Sequence, residues 1–294
     1  MSHRAKIWTA LSAVYVIWGS TYLFIALAVK TLHPLFAVST RFLLAGTIMS
    51  LLVLVRGGTM RASARSIASC VLIGCLLPGA NAILFFAERN VPTGLASLII
   101  SAVPLWVVVL RLAGRERLPL PAMIGVGVGF AGVAVLARPS GGATAWGIGL
   151  CVLSSVMWAT GSVLSRRLPM PADPFAATAY EMLGGGLILL PFGIATIGTF
   201  APSTESVLAW TYLVTIGSVV GYTAYVWLLA NAPLGLVSTY AYINPIVAIT
   251  LGVIVRGEHL SWRLAIGAVI VVAAVALVVR QEPPAATQPE EGVR

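Results

Sequence analysis

The chain has 294 residues, of which 59% are hydrophobic and 9% charged, and its mean hydropathy is +0.98. That is too little charge to clothe a soluble domain. The excess of 18 Lys and Arg over 9 Asp and Glu is scattered, whereas a nucleic-acid footprint needs clustering on one face. Apolar stretches long enough to cross about 30 Å of hydrocarbon recur along the whole length, so the chain is read as a multi-pass membrane protein.

Ten spans are predicted, in order over 7–29, 34–55, 67–87, 94–113, 120–137, 146–165, 174–197, 208–230, 235–256 and 262–279. The breaks between them carry Pro, Gly or charge, as at His33-Pro34, Arg56-Gly57-Gly58, Asn90-Val91-Pro92, Pro139-Ser140-Gly141-Gly142 and Asn231-Ala232-Pro233. Arg4 and Lys6 ahead of span 1 resemble the start of a signal peptide, but the apolar run is long and has no convincing cleavage site, so it is expected to remain as a span. Residues 281–294, with Pro283, Pro284, Glu290 and Glu291, read as a disordered cytoplasmic tail.

The first five spans are written twice. At an offset of 140, Trp18 meets Trp158, Pro34 meets Pro174 and Arg41 meets Glu181. At 141, Asn81 meets Tyr222, Pro92 meets Pro233, Gly94 meets Gly235 and Pro104 meets Pro245; one further residue aligns Glu116 with Glu258. The units are residues 1–139 and 146–280. Five is odd, so the second copy must enter the membrane in the opposite orientation. The expected fold is therefore all-α: a polytopic membrane protein of ten transmembrane helices formed by two inverted five-helix repeats. Such halves create a site near the midplane that opens to either side as they rock. Twelve Lys and Arg fall on one side of this arrangement and five on the other, which puts both termini in the cytoplasm.

Arg41 and Glu181 stand out because a charge within a span is costly and tends to line a cavity or pair internally. Arg41 suits a carboxylate held bidentately, and Glu181 suits a proton or an amino group. Their pseudo-symmetric depths argue against a direct ion pair. Snorkelling or a structural role is the alternative for each. Tyr15, Trp18 and Tyr22 share one helical face, with Asn81, Trp158, Tyr222, Tyr225, Tyr240 and Asn244 as further candidates for the substrate path. Interfacial aromatic belts and interhelical hydrogen bonds are the plainer explanation for such residues. Pro104 and Pro245 are expected to kink spans 4 and 9 and to act as hinges. Glu88, beside Arg89, is expected to be a solvated loop charge, and Glu116 and Glu258 to neutralise nearby arginines.

No metal site, disulfide framework or cofactor is expected. Cys70, Cys75 and Cys151 lie in apolar spans without ligand spacing, and the GxGxxG at Gly127–Gly132 follows no strand. GxxxxGK[ST] is absent, which excludes ATP hydrolysis within the chain. A membrane-embedded enzyme would need an intramembrane constellation, yet His3, His33 and His259 all lie in loops or termini. The chain is read as a non-enzyme.

Trp18-Gly19-Ser20-Thr21-Tyr22, Arg41-Phe42, Asn90-Val91-Pro92-Thr93-Gly94-Leu95-Ala96 and Tyr240-Ala241-Tyr242-Ile243-Asn244-Pro245 together resemble the EamA family of the drug/metabolite transporter superfamily. The resemblance covers the whole chain. It implies an inner-membrane carrier, commonly an exporter of amino acids or other small metabolites, with a cavity lined by spans 1, 3, 4, 6, 8 and 9. The expected function is thus a secondary transporter working by alternating access on a small-molecule substrate in the lipid bilayer, as a monomer or homodimer, with proton coupling as an option. The rival is efflux of cationic compounds. Multidrug relatives use a glutamate in the first span, and span 1 here has no acid, so that rival would need Glu181 in its place.

Overall fold

The computed structural model describes residues 2–116, 118–136, 142–198, 200–232, 234–237 and 239–280. The expected tail at 281–294 and residues 137–141 lie outside the described residues. Among the described residues all regular structure is helical. The helices are α1 (His3–Ala28), α2 (Pro34–Val55), α3 (Ala64–Ala87), α4 (Thr93–Ile100), α5 (Val103–Ala113), α6 (Leu120–Leu136) and α7 (Ala145–Ser165), followed by α8 (Pro174–Ala195), α9 (Thr204–Tyr212), α10 (Gly221–Asn231), α11 (Leu234–Val237), α12 (Tyr240–Arg256) and α13 (Trp262–Arg280). A π-helical segment, Leu213–Val220, joins α9 to α10.

Eight helical stretches are long and apolar enough to cross a membrane: α1, α2, α3, α4 with α5, α7, α8, α9 through Leu229, and α13. The helices α6 and α12 are apolar but shorter. Large apolar side chains face outward along the helices, with Val55 of α2 85% exposed and Ile254 of α12 74%. Buried Ala and Gly, among them Ala37, Ala45, Ala179 and Gly185, fill the interfaces between helices. This is the distribution that a lipid solvent favours, because tails are as apolar as Leu and association depends on close backbone approach.

Helix pairs recur in exchange-related sets. The helix α2 packs on α8, and α6 on α13. Next, α1 packs on α12, while α7 packs on α4 and α5; α3 packs on α7, and α1 on α9 and α10. Exchanging α1–α6 for α7–α13 maps the pairs α2 with α8 and α6 with α13 each onto itself and each of the other pairs onto another.

Span 4 is not one helix, as expected, but two. It breaks at Ser101 and Ala102, with Pro104 in the first turn of α5. Proline lacks the N–H that would bond back into α4 and is tolerated at a helix start. Span 9 is likewise divided, between α11 and α12, but Pro245 lies inside α12 and the division is several residues earlier.

The junctions form two groups tied by polar contacts. At one end of the molecule Lys30 Nζ reaches Glu205 Oε1 at 2.9 Å, His33 Nδ1 lies 3.1 Å from Thr196 Oγ1, the His33 ring meets Phe86, and the Thr144 N–H donates to the Asn90 carbonyl at 3.0 Å. At the other end Arg56 spans both Asp173 oxygens at 2.8 and 2.7 Å, Tyr180 donates to the Met60 carbonyl, and Arg167 meets Glu116 at 2.7 Å. Asp173 also caps α8 through Phe175 N–H. Burial alone would raise its pKa, but the Arg56 guanidinium and the α8 amides hold it below the ordinary carboxylate value.

Candidate functional site

A cavity of about 130 Å³ lies between the two halves. Its wall is drawn from α1 (Trp18, Thr21, Tyr22, Ile25), α2 (Arg41), α3 (Asn81, Leu84), the α4–α5 break (Ser97, Ile100, Ser101, Val103, Pro104), α7 (Ser154, Trp158), α10 (Tyr222) and α12 (Tyr240, Ala241, Asn244, Pro245). A second space of about 340 Å³ shares Val103, Pro104, Trp158, Tyr240 and Ala241 with it and runs to Arg111, Glu116, Arg166 and Arg167. The central cavity therefore adjoins a vestibule at the Glu116 end.

Arg41 is the charged group of this wall. It is 3% exposed, donates from Nε to Ser218 Oγ at 3.0 Å, and holds its guanidinium 5.0 Å from the centre of the Phe42 ring. Its Nη1 is buried without a hydrogen-bond partner. An orphaned donor on a buried cation is costly, and an anionic guest would satisfy it.

The aromatic part is assembled around Trp18. Its ring lies 5.3 Å from Tyr222, 4.9 Å from Tyr225 and 5.1 Å from Tyr240, the last pair edge to face. Its indole N–H donates to the Gly217 carbonyl at 3.3 Å. The π-helical winding supplies that carbonyl and, one residue on, the Ser218 hydroxyl that holds Arg41. Gly221 is required where it stands, because a Cβ there would lie 2.6 Å from Trp18 Nε1. Asn244, with its amide nitrogen turned toward them, donates to the carbonyls of Tyr240 and Tyr15 at 3.2 Å each.

Of the residues singled out from sequence, Trp18, Tyr22, Arg41, Asn81, Trp158, Tyr222, Tyr240, Asn244, Pro104 and Pro245 meet in the central cavity. Tyr225 lines the vestibule. Tyr15 and Glu181 are on neither wall. Tyr15 hydrogen-bonds to Thr239 instead, and Glu181 stands beside Cys70 and Tyr222. Thr21, Ser97, Ser101 and Ser154 complete the polar lining without having been expected. Small hydroxyls in apolar helices carry no periodic signal, and Ser154 is identified by position alone, donating to the Ala80 carbonyl at 2.8 Å.

Glu88 is not a solvated loop charge. It is 3% exposed, and neither carboxylate oxygen has a hydrogen-bond partner. The chain turns after Ala87 and buries Glu88, a tertiary effect that adjacency to Arg89 conceals. Glu258, expected to offset an arginine, does so with Arg256 at 3.2 Å and also accepts from the Thr93 and Gly94 N–H groups at 2.8 and 3.1 Å. It caps α4 from the other half of the chain. The turn that delivers it needs Gly257, whose φ is +65°. Glu116 pairs with Arg111 and Arg167, both at 2.7 Å; those hydrogen bonds hold it below the ordinary carboxylate value. Among the described residues no cluster of His, Cys, Asp and Glu could hold a metal.

A family model described as the EamA-like transporter family matches residues 5–138 and 145–280. The inner membrane transporter YedA of Escherichia coli K12 is 37% identical over 272 residues, covering 89% of this chain and 87% of its own. Protein PecM of Dickeya dadantii is 28% identical, covering 89% and 88%. A solved crystal structure superposes with a TM-score of 0.66 at 22% identity, covering 94% of this chain and 96% of that one, a likeness of fold.

Proposed function

Because the chain belongs to the EamA-like transporter family and is a membrane transporter, we propose that it is a secondary carrier that exports small metabolites such as amino acids by alternating access. Its two five-span halves are taken to sit in the membrane in opposite orientations, with both termini cytoplasmic. The exchange-related helix pairs support this, as does the Asn90–Thr144 contact, which starts α7 at the end of the molecule where α1 finishes. On this assignment the vestibule at Arg111, Arg166 and Arg167 faces the cytoplasm, where an exporter collects its cargo.

The observation that carries the reading is Arg41, which lines the cavity and whose Nη1 is buried and unpartnered, in a wall otherwise made of aromatic rings, hydroxyls, two amides and aliphatic side chains. A carboxylate would take the guanidinium, and the Trp18, Tyr222 and Tyr240 rings would take an apolar or aromatic body. The cationic-compound alternative is less well supported, because no acid is among the residues lining the cavity.

The test is uptake of labelled amino acids and of cationic dyes into inside-out vesicles, with and without a pH gradient, for the intact protein, Arg41→Ala and Glu181→Gln. Uptake of a carboxylate-bearing substrate that Arg41→Ala abolishes and Glu181→Gln spares supports the reading. Uptake of dyes alone, insensitive to Arg41, overturns it.

A further inference from the structure

Glu88, Glu258 and Arg256 gather at the end of the molecule opposite the vestibule. Glu88 closes α3. Facing it are Tyr22 of α1, Cys151 of α7, the Thr93 hydroxyl of α4, and Arg256 and Glu258 from the end of α12. Arg256 is already engaged: its Nη1 lies 2.7 Å from Thr93 Oγ1 and 3.2 Å from Glu258 Oε1. Glu258 in turn holds the first two amides of α4. Arg256 is thus taken up by Glu258 and Thr93, and both Glu88 oxygens are buried without a hydrogen bond. Such a site accommodates the neutral acid and rejects the anion, whose desolvation is uncompensated.

We propose that Glu88 is a proton-binding site that controls whether this end of the carrier is closed. While Glu88 is protonated, Arg256 stays with Glu258 and Thr93, and α4 stays capped. When Glu88 loses its proton to water, leaving a carboxylate and a hydronium ion, the new anion competes for Arg256 and the Thr93 hydroxyl, and Glu258 loses the cation that holds it against α4. Tyr22 both faces Glu88 and lines the central cavity, so the state of the proton site is felt where cargo binds. This places the coupling group at Glu88 rather than Glu181. The coupling role rests on the carrier reading above; the proton site itself does not.

Hydrogen–deuterium exchange of the purified full-length protein without substrate is the test, following the peptide that contains Thr93–Ile100 from pH 6 to pH 9, with intrinsic exchange rates divided out. The expected result is at least a tenfold loss of α4 protection across that range in the intact protein. Glu88→Gln, which retains the neutral form, should stay protected throughout. Glu258→Gln should lower protection at every pH while retaining a pH response. A flat profile for the intact protein overturns the proposal with no variant needed, and so does an unchanged response in Glu88→Gln. Failure of substrate transport in vesicles, with this exchange pattern intact, would instead remove the carrier reading and leave the proton site standing.

Discussion

Glu116 and Glu258 occupy matching places in the two repeats, each just beyond the second helix of a broken span, yet the two ends of the molecule use them differently. Glu258 is 14% exposed and buries its oxygens against two amides of α4 and one arginine, sealing its end. Glu116 is 38% exposed, shared by Arg111 and Arg167, and stands on the rim of an open vestibule. One sequence position thus acts as a helix cap at one end and as a surface ion pair at the other. What decides the outcome is whether the facing helix start comes within reach, so local sequence is not enough to tell a closed end from an open one.

The comparison breaks most completely if the space between the ends is emptied of charge. Arg41→Ala should lower kcat/KM for a carboxylate substrate about 10- to 100-fold, the worth of hydrogen bonds to a charged group, while Arg41→Lys should recover part of it; initial rates in vesicles measure both. Gly221→Ala should follow, lowering transport several-fold by driving Trp18 off the Gly217 carbonyl, and a shift in tryptophan emission would report the displacement. At the closed end Glu258→Ala removes a helix cap worth about 0.5–2 kcal/mol, which should open that end about two- to thirty-fold as read by α4 exchange. At the open end Glu116→Gln should change the transport rate by no more than about twofold, because exposed ion pairs contribute little. A large effect there would show that the two acids are equivalent after all.

The smallest expected effect is at Asp173. Its folded pKa lies below the ordinary value of about 3.9, so the folded state binds fewer protons in that range. Its contribution is present at neutral pH and is lost as pH falls through the folded value. The difference in melting temperature between the intact protein and Asp173→Asn should therefore be constant from pH 8 to about pH 5 and should shrink at lower pH.

Much of the fold was legible because a membrane leaves few options: apolar runs, breakers and the doubled unit located the helices to within a few residues. The aromatic residues of span 1 were legible by spacing, since Trp18 and Tyr22 fall on one face. That periodicity also swept in Tyr15, one turn too far along to reach the cavity. Glu181 was singled out by its repeat match to Arg41, but an equivalent position in a copied unit gives an equivalent depth and says nothing of which neighbour stands in front. Glu88 was misread for the opposite reason: it stands at a helix end beside Arg89, yet it is buried, and the groups that act on it electrostatically, Tyr22, Thr93 and Cys151, come from three other helices.

The π-helical stretch at Leu213–Val220 marks where the two copies cease to be copies. Their alignment is 140 residues apart at Arg41 and Glu181 and 141 apart at Asn81 and Tyr222, so one residue has been gained in between. The helix α3 is α-helical over Ala64–Ala87, whereas its counterpart carries a segment whose hydrogen-bonded rings each enclose one residue more. A single inserted amino acid can be absorbed in this way without turning either flank of the helix away from its partners. The duplicated gene product thereby acquires a private feature in one half, and that half supplies the hydroxyl against which Arg41 rests.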